Sequence, residues 1–179
     1  MPPRRPPKRM THARLRRVLA HYLERYSTTS SHARRLMRQR IRRAAEHHGE
    51  DPAVAEGWLD AEIARMQEIG VIDDAAYARD RARSLVRRGN GPRLVRSKLA
   101  AKGVPSDLID AALHDMVEEL GDPAWAAAVT YARKRRLGPW SRRELDRELR
   151  SKQLAKLARA GFSYEMARRV LELTDPDDA

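Results

Sequence analysis

The chain writes one sixteen-residue stretch twice: Lys98 to Leu113 reads KLAAKGVPSDLIDAAL, and Lys156 to Leu171 reads KLARAGFSYEMARRVL. The lysine, the following Leu-Ala, the glycine six places in, the acid at the tenth place, the apolar eleventh and the closing leucine all keep register. Internal repetition means that one supersecondary unit has been copied and that no copy buries its apolar face alone. The chain is therefore expected to be a short array of helical units, with its function on the surface the array presents.

Punctuation supports helices throughout. Gly49, Gly70, Gly89, Gly103, Gly121, Gly138 and Gly161 each follow a helix-like run, where a residue tolerating positive φ closes the last turn. Asp51-Pro52 and Asp122-Pro123 pair an N-cap with a proline at the first helical position, and Ser141 with Glu144 reads as a capping box. A single Phe, few β-branched residues and many Ala, Leu, Arg and Glu leave little material for sheet. These marks place about nine helices, near 11–26, 31–48, 52–69, 74–88, 92–102, 105–119, 123–137, 142–160 and 163–173.

Grouped in threes, the helices predict an all-α fold of three tandem three-helix repeats, 14–70, 71–121 and 122–174, forming an elongated, curved rod. A disordered basic extension (1–13) and an acidic tail (175–179) flank them. Leu94, Val95 and Leu99, then Leu108, Ile109, Ala112 and Leu113, then Met166, Val170 and Leu171 recur at helical spacing and supply small cores. A unit of about 50 residues is marginal by itself, so neighbouring units must lean on one another.

Charge is distributed in blocks. Residues 1–48 hold fourteen Arg/Lys against Glu24 and Glu46 and so carry the whole net charge of +12, while the remainder balances. Within that remainder Glu50 to Asp74 has eight acids and only Arg65, and Arg79 to Lys102 has nine bases and only Asp80. Asp107 to Asp122 is acidic again, and Arg133 to Arg159 is basic. Blocks on this scale suggest charged partners, whereas a merely soluble surface mixes its signs.

Catalysis finds no home in the sequence, and no cofactor or metal is expected. Without cysteine there is no disulfide framework, thiolate zinc site or thiol nucleophile, which fits a reducing cytoplasm. The six histidines show no ligand spacing, and neither a phosphate-binding loop, a dinucleotide fingerprint nor a nucleophile elbow occurs. No apolar run approaches the roughly 18 residues of a membrane span, and Pro2, Pro3, Pro6 and Pro7 break the basic start in place of a signal core. Asp73-Asp74 is expected to place one carboxylate as an N-cap and the other against the helix dipole, with Tyr77 packed at the junction between units.

Three arginine-rich stretches remain as candidate contact sites. Arg34, Arg35 and Arg38 lead the first. Arg87, Arg88, Arg93, Arg96, Lys98 and Lys102 surround the turn of Gly89, Asn90, Gly91 and Pro92 in the second, and Arg133, Lys134, Arg135 and Arg136 form the third. In the second, two glycines at a helix start could offer backbone N–H groups to a phosphate, and G-x-G-P is similar to the hairpin of helix-hairpin-helix motifs, although without its usual apolar second residue. The plainer account makes Gly89 a C-cap, Gly91 a turn and Pro92 a first helical residue, and leaves only the arginines for contacts. With aromatics at 5%, a stacking platform for single-stranded bases is not expected, and nucleic-acid affinity should be phosphate-driven and salt-sensitive.

Gly70 to Leu113 closely resembles the central repeat of the RecX family of bacterial recombination regulators. The junction Gly70, Val71, Ile72, Asp73, Asp74, Tyr77, Ala78 is similar to that family's G-[YLV]-[LI]-D-D-x-x-[FY]-A. Arg87, Arg88, Gly89 and Gly91 match its arginine-glycine turn, and Lys98, Leu99, Lys102, Gly103 and Val104 its K-L-x-x-K-G-[IV] helix end. Leu19 to Ser31 resembles the opening helix and turn, and Gly161-Phe162-Ser163-Tyr164 the final one. The first unit departs from the pattern: an arginine-rich helix ending at Gly49 replaces the compact run, and the basic extension is not a family hallmark.

The resemblance implies three helical repeats that bind the filament of the RecA recombinase on DNA and restrain its ATPase, strand-exchange and co-protease activities in DNA repair and the SOS response. It implies no enzyme activity, a cytoplasmic monomer, and weaker electrostatic contact with single- and double-stranded DNA. Asp73, Asp74, Tyr77, Gly91, Gly103 and Gly161 are its structural motif. The alternative, from composition and charge, is a general nucleic-acid-binding module of helix-hairpin-helix or helix-turn-helix type.

Overall fold

A computed structural model describes residues 6–143 and 146–174. Arg4 and Arg5 of the basic extension, Glu144 of the anticipated capping box and the 175–179 tail lie outside the described residues. Among those described, nine α-helices follow one another without a strand: α1 (His12–Leu23), α2 (Ser30–His48), α3 (Pro52–Glu68), α4 (Asp74–Arg87), α5 (Pro92–Ala100), α6 (Ser106–Leu120), α7 (Pro123–Arg135), α8 (Arg147–Arg159) and α9 (Tyr164–Leu171). A short 3-10 turn, Gly138–Trp140, separates α7 from α8. No helix among the described residues is long and apolar enough to cross a membrane.

The helices form two compact units, one up to Tyr77 and one from Ala78 onward. In the first, Leu15 and Leu19 of α1, Met37 and Ile41 of α2, and Leu59 and Ile63 of α3 make one core, which Ile72 closes from the segment before α4. Each pair is four residues apart, so each helix presents one apolar stripe. Outside that core Glu62 is also buried, and its Oε1 lies 3.1 Å from His12 Nε2 and 3.2 Å from Arg16 Nε, holding α1 to α3. The described part of the basic extension is also anchored: His48 Nε2 donates to the Pro7 carbonyl at 2.8 Å, and Met10 packs on the core.

The second unit contains both written copies of the repeat, and their hydrogen bonds repeat as well. Val104 N–H donates to Leu99 O and Phe162 N–H to Leu157 O, each at 3.2 Å. Gly103 and Gly161 close the same tight turn with φ of +75° and +93°. This is a Schellman ending, in which a residue with positive φ lets the chain reverse while satisfying the last helical carbonyls. The same pair of bonds ends α4 at Gly89 and α7 at Arg136.

One boundary differs from the sequence reading. The eighth helix begins at Arg147, with the Asp146 side chain accepting from Leu149 N–H at 2.7 Å. Ser141, expected to cap a helix starting at 142, instead exchanges hydrogen bonds with the backbone of Arg143. The 3-10 turn packs against α7 and α9. Its Gly138 N–H is satisfied by the buried Gln153 Oε1 of α8 at 2.8 Å.

Candidate functional site

The two adjacent carboxylates divide their work between two helices. Asp73 caps α4, accepting from Ala76 N–H at 2.8 Å. Asp74 reaches back to the start of α2 and accepts from Ser30 N–H at 2.8 Å and Ser30 Oγ–H at 2.6 Å. Thr29 Oγ1 takes His32 N–H at 3.0 Å, so the orphan donors at the beginning of α2 are met by two side chains. Among the described residues no three His, Cys, Asp or Glu side chains gather as a metal would need. Tyr77 is half-buried in the first turn of α4.

The first arginine cluster is largely engaged inside its own unit. Arg34 Nε lies 2.9 Å from Asp60 Oδ1, Arg38 pairs with Asp60 at 3.2 Å and Glu56 at 3.5 Å, and Arg42 pairs with Glu56 at 3.0 Å. These residues recur every fourth position on α2 and face the acids of α3. Part of the block alternation seen in the sequence is thus internal pairing. Arg35 turns along its own helix to His32 Nδ1 at 2.7 Å.

The second and third clusters meet. Arg88 and Asn90 after α4, Lys134 and Arg135 at the end of α7, and Arg159 at the end of α8 line one pocket with the Tyr131 ring, and no acid lines it. Helix ends supply all four cations because α4, α7 and α8 finish close together. The guanidinium of Arg135 stands 5.9 Å from the Tyr131 ring centre, and that of Arg133 lies 5.7 Å from Trp140. Lys98 Nζ holds the Asn90 side chain at 2.7 Å, and Asn90 Nδ2–H in turn donates to Leu85 O at 2.8 Å. The side chains of Arg87 and Arg93 are exposed and make no ion pair among the described residues, while Arg96 is taken by Asp110 at 2.5 Å. Lys102 is half-buried beside Gly103 at the end of the first copy, and Arg136 is the residue that closes α7.

The glycines of the second cluster have a different task from phosphate binding. Gly91 N–H donates to Ala160 O at 2.8 Å and Arg93 N–H to Gly161 O at 3.2 Å, so these two donors at the start of α5 are spent on the α8–α9 turn. A Cβ on Gly91 would stand 2.5 Å from the Gly161 carbonyl carbon, and one on Gly161 would stand 2.4 Å from Leu94 N. Two backbones meet here at a distance no side chain permits. Gly91 and Gly161 of the motif are thus one contact that welds the α4–α5 turn to the α8–α9 turn.

Sequence reasoning missed Arg159 and Tyr131 as pocket residues. A signal for Arg159 was present: it is the position at which the second copy has arginine where the first has Ala101. Tyr131 carried none, since only folding brings α7 beside Gly89, whose absent Cβ would lie 3.0 Å from Tyr131 N.

Comparison with known proteins agrees with this architecture. A family model described as RecX, second three-helix domain, matches residues 73–113. The chain is 36% identical over 167 residues to regulatory protein RecX of Myxococcus xanthus, covering 93% of this chain and 88% of that one. It is also 36% identical over 140 residues to regulatory protein RecX of Agrobacterium fabrum, covering 77% and 73%. The crystal structure of RecX from Lactobacillus salivarius superposes with a TM-score of 0.69 over 92% of this chain and 96% of that one, at 19% identity, and so shares the fold. From the doubled carboxylates to the glycine contact, and over nearly its whole length, the chain belongs to the RecX family of regulatory proteins.

Proposed function

We propose that this chain is a non-enzymatic, cytoplasmic regulator that binds the RecA–DNA filament as a monomer and restrains RecA's recombinase, ATPase and co-protease activities in DNA repair and the SOS response. Its membership of the RecX family carries the reading. The pocket of Arg88, Lys134, Arg135 and Arg159 supports it as the place where an acidic filament surface or a phosphate is met. The three-repeat division, 14–70, 71–121 and 122–174, belongs to the same proposal, because modules that engage successive protomers gain affinity from their linkage. Arg87 and Arg93 are exposed at the end of α4 and the start of α5, in the same unit, and extend the contact set. Arg34 and Arg38, paired with α3, contribute through the charge left over.

The general nucleic-acid-binding alternative is weakened in its helix-hairpin-helix form, since the N–H groups of Gly91 and Arg93 already have carbonyl partners. The deciding experiment titrates the protein onto preformed RecA filaments with single-stranded DNA saturating and follows ATP hydrolysis. Inhibition well below the DNA site concentration, lost in an Arg88→Glu/Lys134→Glu variant of unchanged helicity, is the expected result. Inhibition only at DNA-coating levels would replace it with the nucleic-acid-binding reading.

A further inference from the structure

The first unit has a second basic surface that the α3 acids do not reach. On α2, Arg34, Arg38 and Arg42 face Glu56 and Asp60, but at about 100° per residue Arg40 points to the opposite side. There it lines a groove with Arg17, Arg25 and His21 of the α1 segment, together with Tyr22 and Tyr26. None of Arg17, Arg25 and Arg40 makes an ion pair among the described residues. Arg40 and Val18 continue into an adjoining hollow whose cations are Lys8, Arg14 and Arg43, again with no acid in its wall. Arg14 Nε is buried there without a hydrogen-bond partner among the described residues.

The tyrosines give this surface its specificity. Tyr22 in the last turn of α1 and Tyr26 just past its end have ring centres 5.2 Å from each other, and Tyr26 is 56% exposed. A large aromatic more than half in water beside unpaired arginines leaves apolar surface exposed that its contact with Tyr22 covers only in part. Composition alone argued against a stacking platform because aromatics are scarce. Two of the five tyrosines nevertheless meet on the face where Arg17, Arg25 and Arg40 make no ion pair among the described residues.

We propose that the α1–α2 groove is a binding track for single-stranded nucleic acid, with a base stacked on Tyr26 against Tyr22 and phosphates on Arg17, Arg25 and Arg40. Single strands expose base faces, whereas a duplex conceals them, and backbone-tracking cations joined to aromatic platforms are the mark of sequence-tolerant single-strand binding. An acidic peptide would use the arginines but leave the tyrosine pair without a role. The described part of the basic extension, fixed by the His48–Pro7 bond, becomes a wall of the track. The proposal rests only on the nucleic-acid side of the proposed function, and its test contains no RecA.

The full chain is titrated onto a fluorescent oligothymidylate, its duplex with oligoadenylate, and polyglutamate as competitor. The expected result is preference for the single strand, a loss of about tenfold or more in Tyr26→Ala, and near-parental binding in Tyr26→Phe. The salt dependence should fall by about 0.7 in log–log slope for each of Arg17→Ala, Arg25→Ala and Arg40→Ala, and stay unchanged in Arg79→Ala. Tyr26 is too exposed for its truncation to unfold the unit, which a matching thermal melt checks. Equal affinity for duplex, unchanged binding by Tyr26→Ala, or displacement by polyglutamate at matched charge would each overturn the proposal, the last in favour of an acidic protein partner.

Discussion

Asp74 grips Ser30 with both carboxylate oxygens, at 2.8 Å to the backbone nitrogen and 2.6 Å to Oγ, across 44 residues of chain. The contact ties the beginning of α4 to the beginning of α2, and it places a negative charge where two helix dipoles present their positive ends. Asp74→Ala is expected to cost about 1–3 kcal/mol and Ser30→Ala about 1 kcal/mol by urea unfolding. The double variant should reveal a coupling of at least about 0.5 kcal/mol, and strict additivity would show that the two residues do not act together.

The Gly91–Gly161 contact sorts glycines into those the fold needs and those it tolerates. Gly91→Ala and Gly161→Ala force a methyl group into backbone and should each cost about 2 kcal/mol or more. Gly57, inside α3 with nothing within 4 Å of a prospective Cβ, should gain about 0.5–1 kcal/mol on becoming alanine. Denaturation midpoints of the three variants, measured side by side, check the ranking.

Arg136 holds a left-handed conformation, with φ of +54°, where the equivalent ending of α4 uses Gly89. Leu137 N–H reaches Ala132 O at 2.9 Å, so the turn is fully formed despite the unfavourable residue. Arg136→Gly is therefore expected to stabilise the protein by about 1 kcal/mol. If the inhibition of RecA proposed for this chain falls in that variant while its melting temperature rises, the arginine is retained for contact and not for folding.

The pairs between α2 and α3 predict a small, screened effect on stability. Asp60→Asn removes the partner of Arg34 and part of that of Arg38, yet both ends of these pairs are substantially exposed. The loss should be under about 1 kcal/mol at low salt and should fade at molar salt. A larger, salt-independent loss would mean that Asp60 acts through packing.

Helix number and order, an N-cap from the Asp73-Asp74 pair, and the closing turns at Gly103 and Gly161 were legible in the sequence, because each depends on residues within one helical turn of each other; that Asp73 is the cap while Asp74 reaches Ser30 was not. Caps, proline positions and apolar spacing are local physics, and a copied stretch states its own register. The beginning of α8 was not legible: Ser141 and Asp146 both have N-cap chemistry, and only the packing of the 3-10 turn against Gln153 selects between them.

The site divides in the same way. Sequence determined which residues carry positive charge, and that they cluster near helix ends. Tertiary structure decided that Arg34 and Arg38 spend much of their charge on α3, that Arg88, Lys134, Arg135 and Arg159 share one pocket, and that Gly91 serves backbone contact in place of phosphate binding. Tyr22 and Tyr26 belong to both: their four-residue spacing is written in the chain, but the arginine that completes their groove comes from α2. Coulomb and hydrogen-bond partners act over a few ångströms of space, and the sequence orders residues only along the chain.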